Sequence, residues 1–416
     1  MPLPLRALRH RNFAYFVAGQ SIALVGYWIQ QIAVSWLVYK LTGSATLLGV
    51  LSFAANLPVL LLAPVAGIWS DRCNRHRMML ATQVLEMLQA VALAVLAYGG
   101  WIEVWHIVAL TVMLGTCVAV ELPVRHAYLL ELVGDKQDLP NAVAMTSLVA
   151  NCGRLVGPSV AGLLIAYFSE ATCFLINAIS YVAVLVSFAF IRVNAQPPAE
   201  SHPPAWHGLK EGIRYAWHTL PIRLLLILLA LIALTAAPYS TLMPAVVHEV
   251  FDGNAQTLGF LVGAAGCGAV CGTLFLAARG NVRGLLRFIA AAAIIAACAL
   301  VALSQSRWLP LSFALMAAIG GSILVTTVSI NMILQTIVDD DKRGRIMSLY
   351  TAAFLGVVPL GSLIFGALAD RIGAAHTLLA GGIVCLAGSL YLVRQLPHLR
   401  NHMRAAYARL NLEISS

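Results

Sequence analysis

The sequence predicts an all-α integral membrane protein in which twelve transmembrane helices form two six-helix bundles. Of its 416 residues, 60% are hydrophobic and only 10% are charged, and the mean hydropathy is +0.86. This composition excludes a soluble globular domain. Because one crossing takes roughly 20 apolar residues, the chain has room for about twelve crossings and little else. Any function must therefore be performed by the membrane bundle.

Hydropathy along the chain separates twelve apolar segments, each long enough to cross a bilayer. Lipid cannot hydrogen-bond exposed backbone groups, so segments of this length form helices. The first segment is too long for a signal peptide and has no small-residue cleavage site after it, so we expect it to be retained. The predicted spans cover approximately residues 12–39, 46–69, 77–99, 104–123, 141–167, 172–192, 222–247, 257–278, 284–303, 309–336, 346–369 and 375–393.

The longest connection joins the sixth and seventh spans. It contains four prolines between positions 197 and 204 and then the stretch "WHGLKEGIRYAWHTL", whose apolar residues have helical spacing. This pattern predicts a linker that ends in a short surface helix. The predicted domains are an N-terminal six-helix bundle (1–192), a cytoplasmic linker (193–221), a C-terminal six-helix bundle (222–396) and a cytoplasmic tail (397–416).

The distribution of Lys and Arg predicts that both termini lie in the cytoplasm of a bacterial-type cell, with the spans in its cytoplasmic (inner) membrane. Of 26 such residues, Lys40, Arg307 and Arg371 fall in loops of one side, Arg154 falls within a span, and all others lie on the opposite side. Positive residues accumulate on the cytoplasmic side. Basic loops facing anionic membrane lipids also account for the net charge of +9, so no nucleic-acid partner is expected.

The two halves carry traces of a duplication. A shift of 204 residues aligns "ELVGDKQDLPNAVAM", from Glu131, with "QTIVDDDKRGRIMSL", from Gln335, and places Gly162 on Gly366. Parallel repeats of this kind are typical of transporters whose substrate site lies at the membrane midplane between the halves. The repeat therefore indicates transport.

Several motifs resemble those of the major facilitator superfamily. "GIWSDRCNRHR", between the second and third spans, resembles the superfamily's signature loop, Gly-x-x-x-Asp-Arg-x-Gly-Arg-Arg, with Asn74 in place of a glycine and His76 in place of a basic residue. "GRLVGPSVAG", in the fifth span, resembles the Gly-Pro motif of exporting branches, with Ala161 as a departure. Stretches beginning at Ala33, Pro123, Asp339 and Pro359 are similar to the enterobactin-exporter-like and macrolide-efflux-like subgroup, so the resemblance covers nearly the whole chain and implies the major facilitator fold.

The signature loop suggests a conformational latch. The resemblance implies that Asp71 faces the start of the eleventh span, near Arg345, and holds the bundles together when the cavity faces outward. From the residues alone, a carboxylate at the start of a helix is favoured by the helix dipole. The alternative is simple cytoplasmic anchoring by the arginines. The predicted latch residues are Gly67, Asp71, Arg72, Arg75, Arg77 and Arg345.

The fifth span contains a predicted pivot formed by Gly153, Gly157, Pro158 and Gly162. Glycines remove side chains from one helix face, and proline frees a backbone carbonyl, so the helix can pack closely and bend. Generic close packing is the alternative, because glycine and proline are common in membrane helices. The eleventh span, with Pro359, Gly361 and Gly366, has the same character.

Arg154 lies about halfway along the fifth span, where an arginine facing lipid costs at least about 2.5 to 3.5 kcal/mol. We expect it to face the protein interior or water and to have a partner, for which Glu86 and Glu121 are the candidate acids. Three roles stay open: a structural ion pair, an anchor for an anionic substrate group, or a part in proton coupling through the two acids.

Polar and aromatic residues near the middles of four spans are candidates for lining a substrate cavity, although each could instead be a packing residue. These are Tyr27, Gln30, Gln31, Asn56, Tyr239, Asn331 and Gln335. The eight cysteines form no CxxC or Cys/His pattern, so we expect neither a metal nor a cofactor.

The sequence is therefore interpreted as a monomeric secondary active transporter, not an enzyme, that works by alternating access. No phosphate-binding loop motif occurs, so transport must draw on a gradient. We expect proton-coupled export of a small amphiphilic molecule such as a siderophore or drug, with Glu86 or Glu121 as the proton carrier. Uptake by the same fold and a non-transporting sensor or scaffold are the alternatives. A membrane enzyme is disfavoured because the histidines are scattered.

Overall fold

The computed structural model describes residues 3–135, 137–192, 205–279 and 284–409. Within these ranges some side chains, including those of Asp71 and Arg72, lie outside the described part, as does Gly67. Twelve stretches are long and apolar enough to cross a membrane, which confirms the predicted number of spans. The proline-rich part of the linker lies outside the described residues.

Every regular element in the described ranges is helical. A short 3-10 helix (Leu3–Arg9) is followed by α1 (Arg11–Thr42), α2 (Ala45–Arg72), α3 (Arg75–Tyr98), α4 (Val104–Val133), α5 (Leu139–Tyr167), α6 (Glu170–Phe190), α7 (Ala205–His218), α8 (Leu220–Thr235), α9 (Tyr239–Phe251), α10 (Ala255–Arg279), α11 (Leu285–Gln305), α12 (Leu309–Ile337), α13 (Asp340–Thr351), α14 (Val357–Ile372) and α15 (Ala374–Arg409). The predicted surface helix at the end of the linker is α7.

The chain forms two compact units. The first unit contains Met1–Ser201 together with Asp252–Gly263, and the second contains His202–Phe251 together with Ala264–Ser416. Helices α1 to α6 belong to the first unit. The start of α10 also packs within the first unit, while the rest of α10 continues into the second.

Two predicted spans are interrupted helices. The seventh span consists of α8 and α9, which are separated at Pro238, where proline supplies no N–H to continue the hydrogen-bond ladder. The eleventh span consists of α13 and α14, joined by a single π-helical turn over Ala352–Gly356. Pro359 follows this turn and frees the carbonyl four residues before it, a common cause of such irregular turns.

Local residues explain where several helices begin and end. Gly43 ends α1 and Gly134 ends α4, both in the left-handed conformation that glycine adopts without strain. Asn74, the residue that departs from the signature-loop pattern, begins α3 because its side chain accepts a hydrogen bond from the Arg77 backbone N–H at 3.0 Å. The departure therefore gives the loop a helix cap.

The N-terminal 3-10 helix is fastened to the start of α5. Asp138 is fully buried and lies 2.7 Å from Arg6 Nε, 2.6 Å from Arg9 Nη2 and 2.8 Å from His10 Nε2. The backbone N–H of Ala7 also donates to Asn141 Oδ1 at 2.9 Å. The pKa of Asp138 is lowered by its hydrogen bond with His10, then by Arg9 and Arg6.

Equivalent glycine crossings recur in both units. In the first unit, Gly115 of α4 packs on the carbonyl of Ala55 in α2; in the second, Gly320 of α12 packs on the carbonyl of Ala265 in α10. A side chain at either glycine would overlap that carbonyl. The two glycines lie almost the same distance apart in sequence as the aligned repeat segments, so the duplication extends to helix packing.

Candidate functional site

A buried charged cluster lies among α3, α4 and α6 of the first unit. Glu86 and Glu121 are only 3% and 4% exposed. Glu121 forms an ion pair with Arg125, one turn further along α4. The Glu86 carboxyl neighbours the Glu121 carboxyl and the Tyr181 hydroxyl. We name Glu86, Glu121, Arg125 and Tyr181 the acid-pair cluster.

Helical spacing explains how the cluster forms. Glu121 and Arg125 are four residues apart, and therefore share one face of α4. Gln83 and Glu86 are three residues apart on α3, and Gln83 Nε2 donates to Glu86 Oε2 at 3.2 Å. The other side-chain atom of this amide, Gln83 Oε1, is buried and has no hydrogen-bond partner. An acceptor is thus available beside the acids.

The cluster contains two carboxyls and one guanidinium. If both carboxyls are ionised, its net charge is −1, and one bound proton makes it neutral. Two carboxyls buried near each other are unfavourable when both are ionised, so a site of this composition can hold one proton.

Arg154 does not pair with either predicted acid. Its guanidinium lies over the ring of Trp28, 5.0 Å from the ring centroid, and its side chain is exposed. Glu121 is instead paired with Arg125. Tyr27 is near enough to interact electrostatically with Arg154, Glu86 and Glu121. Arg154 is thus a neighbour of the acid-pair cluster rather than a member.

Gln30, a predicted cavity residue, is only 1% exposed. Its Nε2 donates to Gln89 Oε1 at 3.0 Å, and its Oε1 accepts from Asn177 Nδ2 at 2.9 Å. This amide network joins α1, α3 and α6. The Gln30 side chain is therefore engaged inside the first unit and is away from accessible surface.

Other predicted cavity residues of the first unit are partly exposed. Tyr27 accepts a hydrogen bond from Gln31 Nε2 at 3.1 Å. Asn56 donates to the Ser52 backbone carbonyl at 2.9 Å. These side chains keep accessible polar surface available to a ligand.

In the second unit, Gln335 Nε2 donates to Asn331 Oδ1 at 2.6 Å, one helical turn away on α12. Gln335 is exposed, and Asn331 is half-buried. Tyr239 is half-buried at the start of α9, next to the break in the seventh span. The structure brings Asn331 and Gln335 together, and it leaves Tyr239 on a different helix of the unit.

Two described residues of the predicted latch form ion pairs within their own units. Arg75 pairs with Glu131 at 2.6 Å, which joins the start of α3 to the end of α4. Arg345 pairs with Glu211 of the linker helix α7. Arg77 is exposed. Because Gly67 and the side chains of Asp71 and Arg72 lie outside the described residues, the latch itself stays a prediction.

The predicted pivot residues make close contacts on two sides of α5. Gly153 faces Leu24 and Gly157 faces Val25 and Trp28, all on α1. On the second side, a side chain at Gly162 would come within 2.8 Å of the Ala255 carbonyl at the start of α10. Pro158, which lies between these contacts, is buried.

The repeat extends to this glycine face. Gly361 of α14 contacts Leu234 and Pro238, at the end of α8. Gly361 and Gly157 are related by the same shift that aligns the repeat, and each packs on the first helix of its half. Close packing at this place is therefore a property of both units.

Sequence reasoning missed Arg125, Tyr181 and Trp28. The hydropathy pattern predicts that the fourth span ends at residue 123 and so assigns Arg125 to a cytoplasmic loop, whereas α4 continues to Val133. The four-residue spacing of Glu121 and Arg125 was the available signal. Tyr181 and Trp28 gave none, since their roles depend on which helices are neighbours. Within the described residues, no group of His, Cys, Asp and Glu could hold a metal ion.

Twelve spans, a repeated packing plan and a buried charged cluster define a polytopic transporter of the major facilitator type. The family described as transmembrane secretion effector matches residues 3–413, and the chain belongs to this family. The resemblance deduced from the motifs is thereby confirmed. The chain is a multi-pass membrane transporter from a family of transporters rather than enzymes.

Relatives cover nearly the full length of the chain. It is 28% identical to the staphyloferrin A transporter of Staphylococcus aureus, over 92% of this chain and 96% of that protein. It is 27% identical to the multidrug efflux pump Tap of Mycolicibacterium fortuitum, over 88% and 90%. It is 24% identical to macrolide efflux protein A of Streptococcus pyogenes, over 89% and 93%.

Solved structures show the same fold. A POT family transporter in complex with 5-aminolevulinic acid has a TM-score of 0.74 at 12% identity, covering 94% of this chain and 96% of that one. At this identity the similarity concerns the fold alone.

Proposed function

We propose that the protein is a monomeric, proton-coupled exporter of small amphiphilic molecules that works by alternating access. It lies in the cytoplasmic membrane of a bacterium, with both termini in the cytoplasm. The single observation that carries the proposal is the acid-pair cluster, because a secondary transporter needs a buried group that binds and releases its coupling ion.

Charge balance supports proton coupling. The cluster carries a charge of −1 with both carboxyls ionised and zero with one proton bound. A charge inside the membrane is costly, so the form with charge −1 favours access of water to the cluster more than the neutral, protonated form does. Tyr27 lies beside the cluster, on a helix with partly exposed polar residues. A substrate bound at these residues would change the electrostatic environment of the two acids through Tyr27, so binding of substrate and binding of a proton can oppose each other.

The direction of transport rests on relatives and on one motif. Two of the relatives reported above are named efflux proteins, and the Gly-Pro motif of α5 resembles exporting branches. The buried face of α5 packs closely on α1 and on the start of α10. We propose that this face is the pivot about which the cavity changes its access, with the signature loop as its latch.

The test uses protein in liposomes with an imposed pH gradient. Three probes are offered: 1-naphthoate, which is anionic, 1-naphthamide, which is neutral, and ethidium, which is cationic. Flux of at least one probe should follow the proton gradient and collapse with a protonophore. Flux that follows only the probe's own gradient would contradict proton coupling, and inward accumulation in intact cells would contradict export.

Two variants and a control locate the coupling. Glu86→Gln and Glu121→Gln should each uncouple flux from the pH gradient, because a neutral amide cannot exchange a proton. Glu103→Gln is the matched control, since Glu103 is exposed at the start of α4 and the amide can still accept the hydrogen bond from Trp105 Nε1. Normal proton-driven flux in both cluster variants would contradict the assignment.

A further inference from the structure

Arg154 is the sixteenth of the 29 residues of α5, and therefore lies near mid-membrane in the proposed orientation. Anionic lipid headgroups lie at the membrane surfaces, too far away to serve as its counter-ion. An arginine at this depth that faces hydrocarbon is unfavourable by at least about 2.5 to 3.5 kcal/mol. Its exposed side chain should therefore face water or a ligand.

The neighbours of Arg154 identify which side of α5 it occupies. Gly153 and Gly157, which flank it on the helix, both contact α1. The guanidinium lies on Trp28 of α1, and Tyr27 packs edge-on against Trp28 with ring centroids 5.7 Å apart. Tyr27 also interacts with the acid-pair cluster. Arg154 of α5 therefore lies beside the polar side of α1, where Gln31 is also partly exposed.

No carboxylate balances this cation within the described part of the chain. Glu86 and Glu121, the acids of the neighbouring cluster, instead have Arg125, Gln83 and Tyr181 as neighbours. The contact with Trp28 is a cation–π interaction, which stabilises the charge but does not neutralise it. A mid-membrane cation without an acidic partner is suited to an anion supplied from outside the chain.

The N–H groups of the Arg154 guanidinium are suited to bind a carboxylate. Within the described residues the Arg154 guanidinium has no hydrogen-bond partner beside its contact with Trp28, so its N–H groups are available to bind a carboxylate with two parallel hydrogen bonds. The aromatic rings of Trp28 and Tyr27 offer apolar contact to the remainder of the same ligand.

We infer that Arg154, held in place by Trp28, recognises the carboxylate of an anionic amphiphile, so that the transported class consists of organic acids with an apolar or aromatic body. This inference deepens the proposed function and rests on it. Arg154 is the anchor, and Trp28 is the positioning residue.

The test is equilibrium binding to purified full-length protein in phosphatidylcholine nanodiscs, with no gradient present. The probes are 1-naphthoate and 1-naphthamide, which share a ring system and differ in charge. The wild-type protein should bind the acid about tenfold or more tightly than the amide, as a charged hydrogen-bonded pair allows. Arg154→Gln should remove this preference and leave binding of 1-naphthamide unchanged, which also shows that the variant is folded.

Further variants sharpen the result. Arg154→Lys should fall between wild type and Arg154→Gln, because an ammonium retains the charge but lacks the paired donors. Trp28→Leu should weaken binding of the acid less than Arg154→Gln does. Arg192→Gln is the matched control: its side chain is exposed, and Asn12 bonds only its backbone, so acid binding should be unchanged.

Three results would overturn the inference: equal affinity of the wild-type protein for acid and amide, binding of neither probe, or unchanged acid binding in Arg154→Gln. If Arg154→Gln binds neither probe, the test passes to Arg154→Lys. If Arg154→Lys then binds 1-naphthoate as tightly as the wild-type protein does, the result contradicts a site that depends on paired donors. Because the assay contains no gradient, failure of proton coupling or of export leaves its result unaffected. The two proposals can therefore fail separately.

Discussion

The buried polar residues of the first unit include amides and carboxyls, whereas those described in the second unit are serine and threonine alone. The amides and acids are Gln20, Gln30, Gln83, Glu86, Gln89, Glu121, Asp138, Glu170 and Asn177. In the second unit, hydroxyls such as those of Thr235, Thr326 and Ser389 donate to carbonyls four residues earlier on their own helices. Such bonds satisfy the hydroxyl without joining one helix to another.

The two units therefore share their helix packing but differ in their buried polar side chains. Both units keep the glycine crossings and the close contact between the first and fifth helices of each half. Among the described residues, buried amide and carboxyl side chains that connect helices are found in the first unit. The repeat therefore conserves packing, while ion chemistry is concentrated in one copy.

The largest expected effect comes from Arg125→Ala, which leaves two buried acids without a cation. Breaking a buried ion pair in this way should cost about 3 to 5 kcal/mol of unfolding free energy. The measurement is denaturant-induced unfolding of the purified protein. Adding Glu121→Ala to Arg125→Ala should recover part of the loss.

The second unit offers the comparison. Arg345→Ala breaks an ion pair with Glu211, whose side chain is 68% exposed, and such pairs contribute about 0 to 1 kcal/mol. Equal losses for Arg125→Ala and Arg345→Ala would contradict the asymmetry between the units.

Glycine crossings should behave alike in both units. Gly115→Ala and Gly320→Ala each place a methyl group against a backbone carbonyl, so each should destabilise by about 1 to 3 kcal/mol. Thermal unfolding of the two variants checks this expectation. Gly344→Ala is the control, because nothing lies within 4 Å of its added carbon, and alanine favours a helix. A much larger loss at one crossing would show that the packing plan is not shared.

The buried amide network should matter more than a buried hydroxyl. Gln30→Leu removes the partner of Gln89 Oε1 and of Asn177 Nδ2 and should cost about 1 to 3 kcal/mol. Ser389→Ala leaves only a backbone carbonyl that already serves its helix, so its loss should be smaller. Both are measured by the same unfolding assay. A larger loss for Ser389→Ala would reverse the comparison.

The smallest effect concerns pH. Because Asp138 has a lowered pKa in the folded protein, its contribution to stability is present above the ordinary carboxyl pKa and disappears as the pH falls through the folded-state value. Asp138→Asn should reduce the loss of stability between neutral and acidic pH. Thermal unfolding measured across that range tests it, and an unchanged pH profile would show that other acids dominate.

The number and order of the spans could be predicted because hydropathy depends on composition within each segment. The partners of Arg154 and Arg345 could not, since they depend on the rotation of each helix about its axis and on which helices are neighbours. The sequence identifies Glu86 and Glu121 as acids within membrane spans, but the pairing of Arg125 with Glu121 depends on where α4 ends. Asn74 departs from the signature-loop pattern, and its role as a helix cap depends only on local structure.

The π turn at Ala352–Gly356 amounts to one extra residue in the helix register of the eleventh span. Each residue of an α-helix turns by about 100°. Deleting one residue from this turn would make α13 and α14 continuous and swing every side chain of α13 by roughly that angle relative to α14. Arg345 would then point away from Glu211, and α7 would lose its ion pair with α13. A single inserted residue deep in the span therefore sets the orientation of a contact with the linker helix.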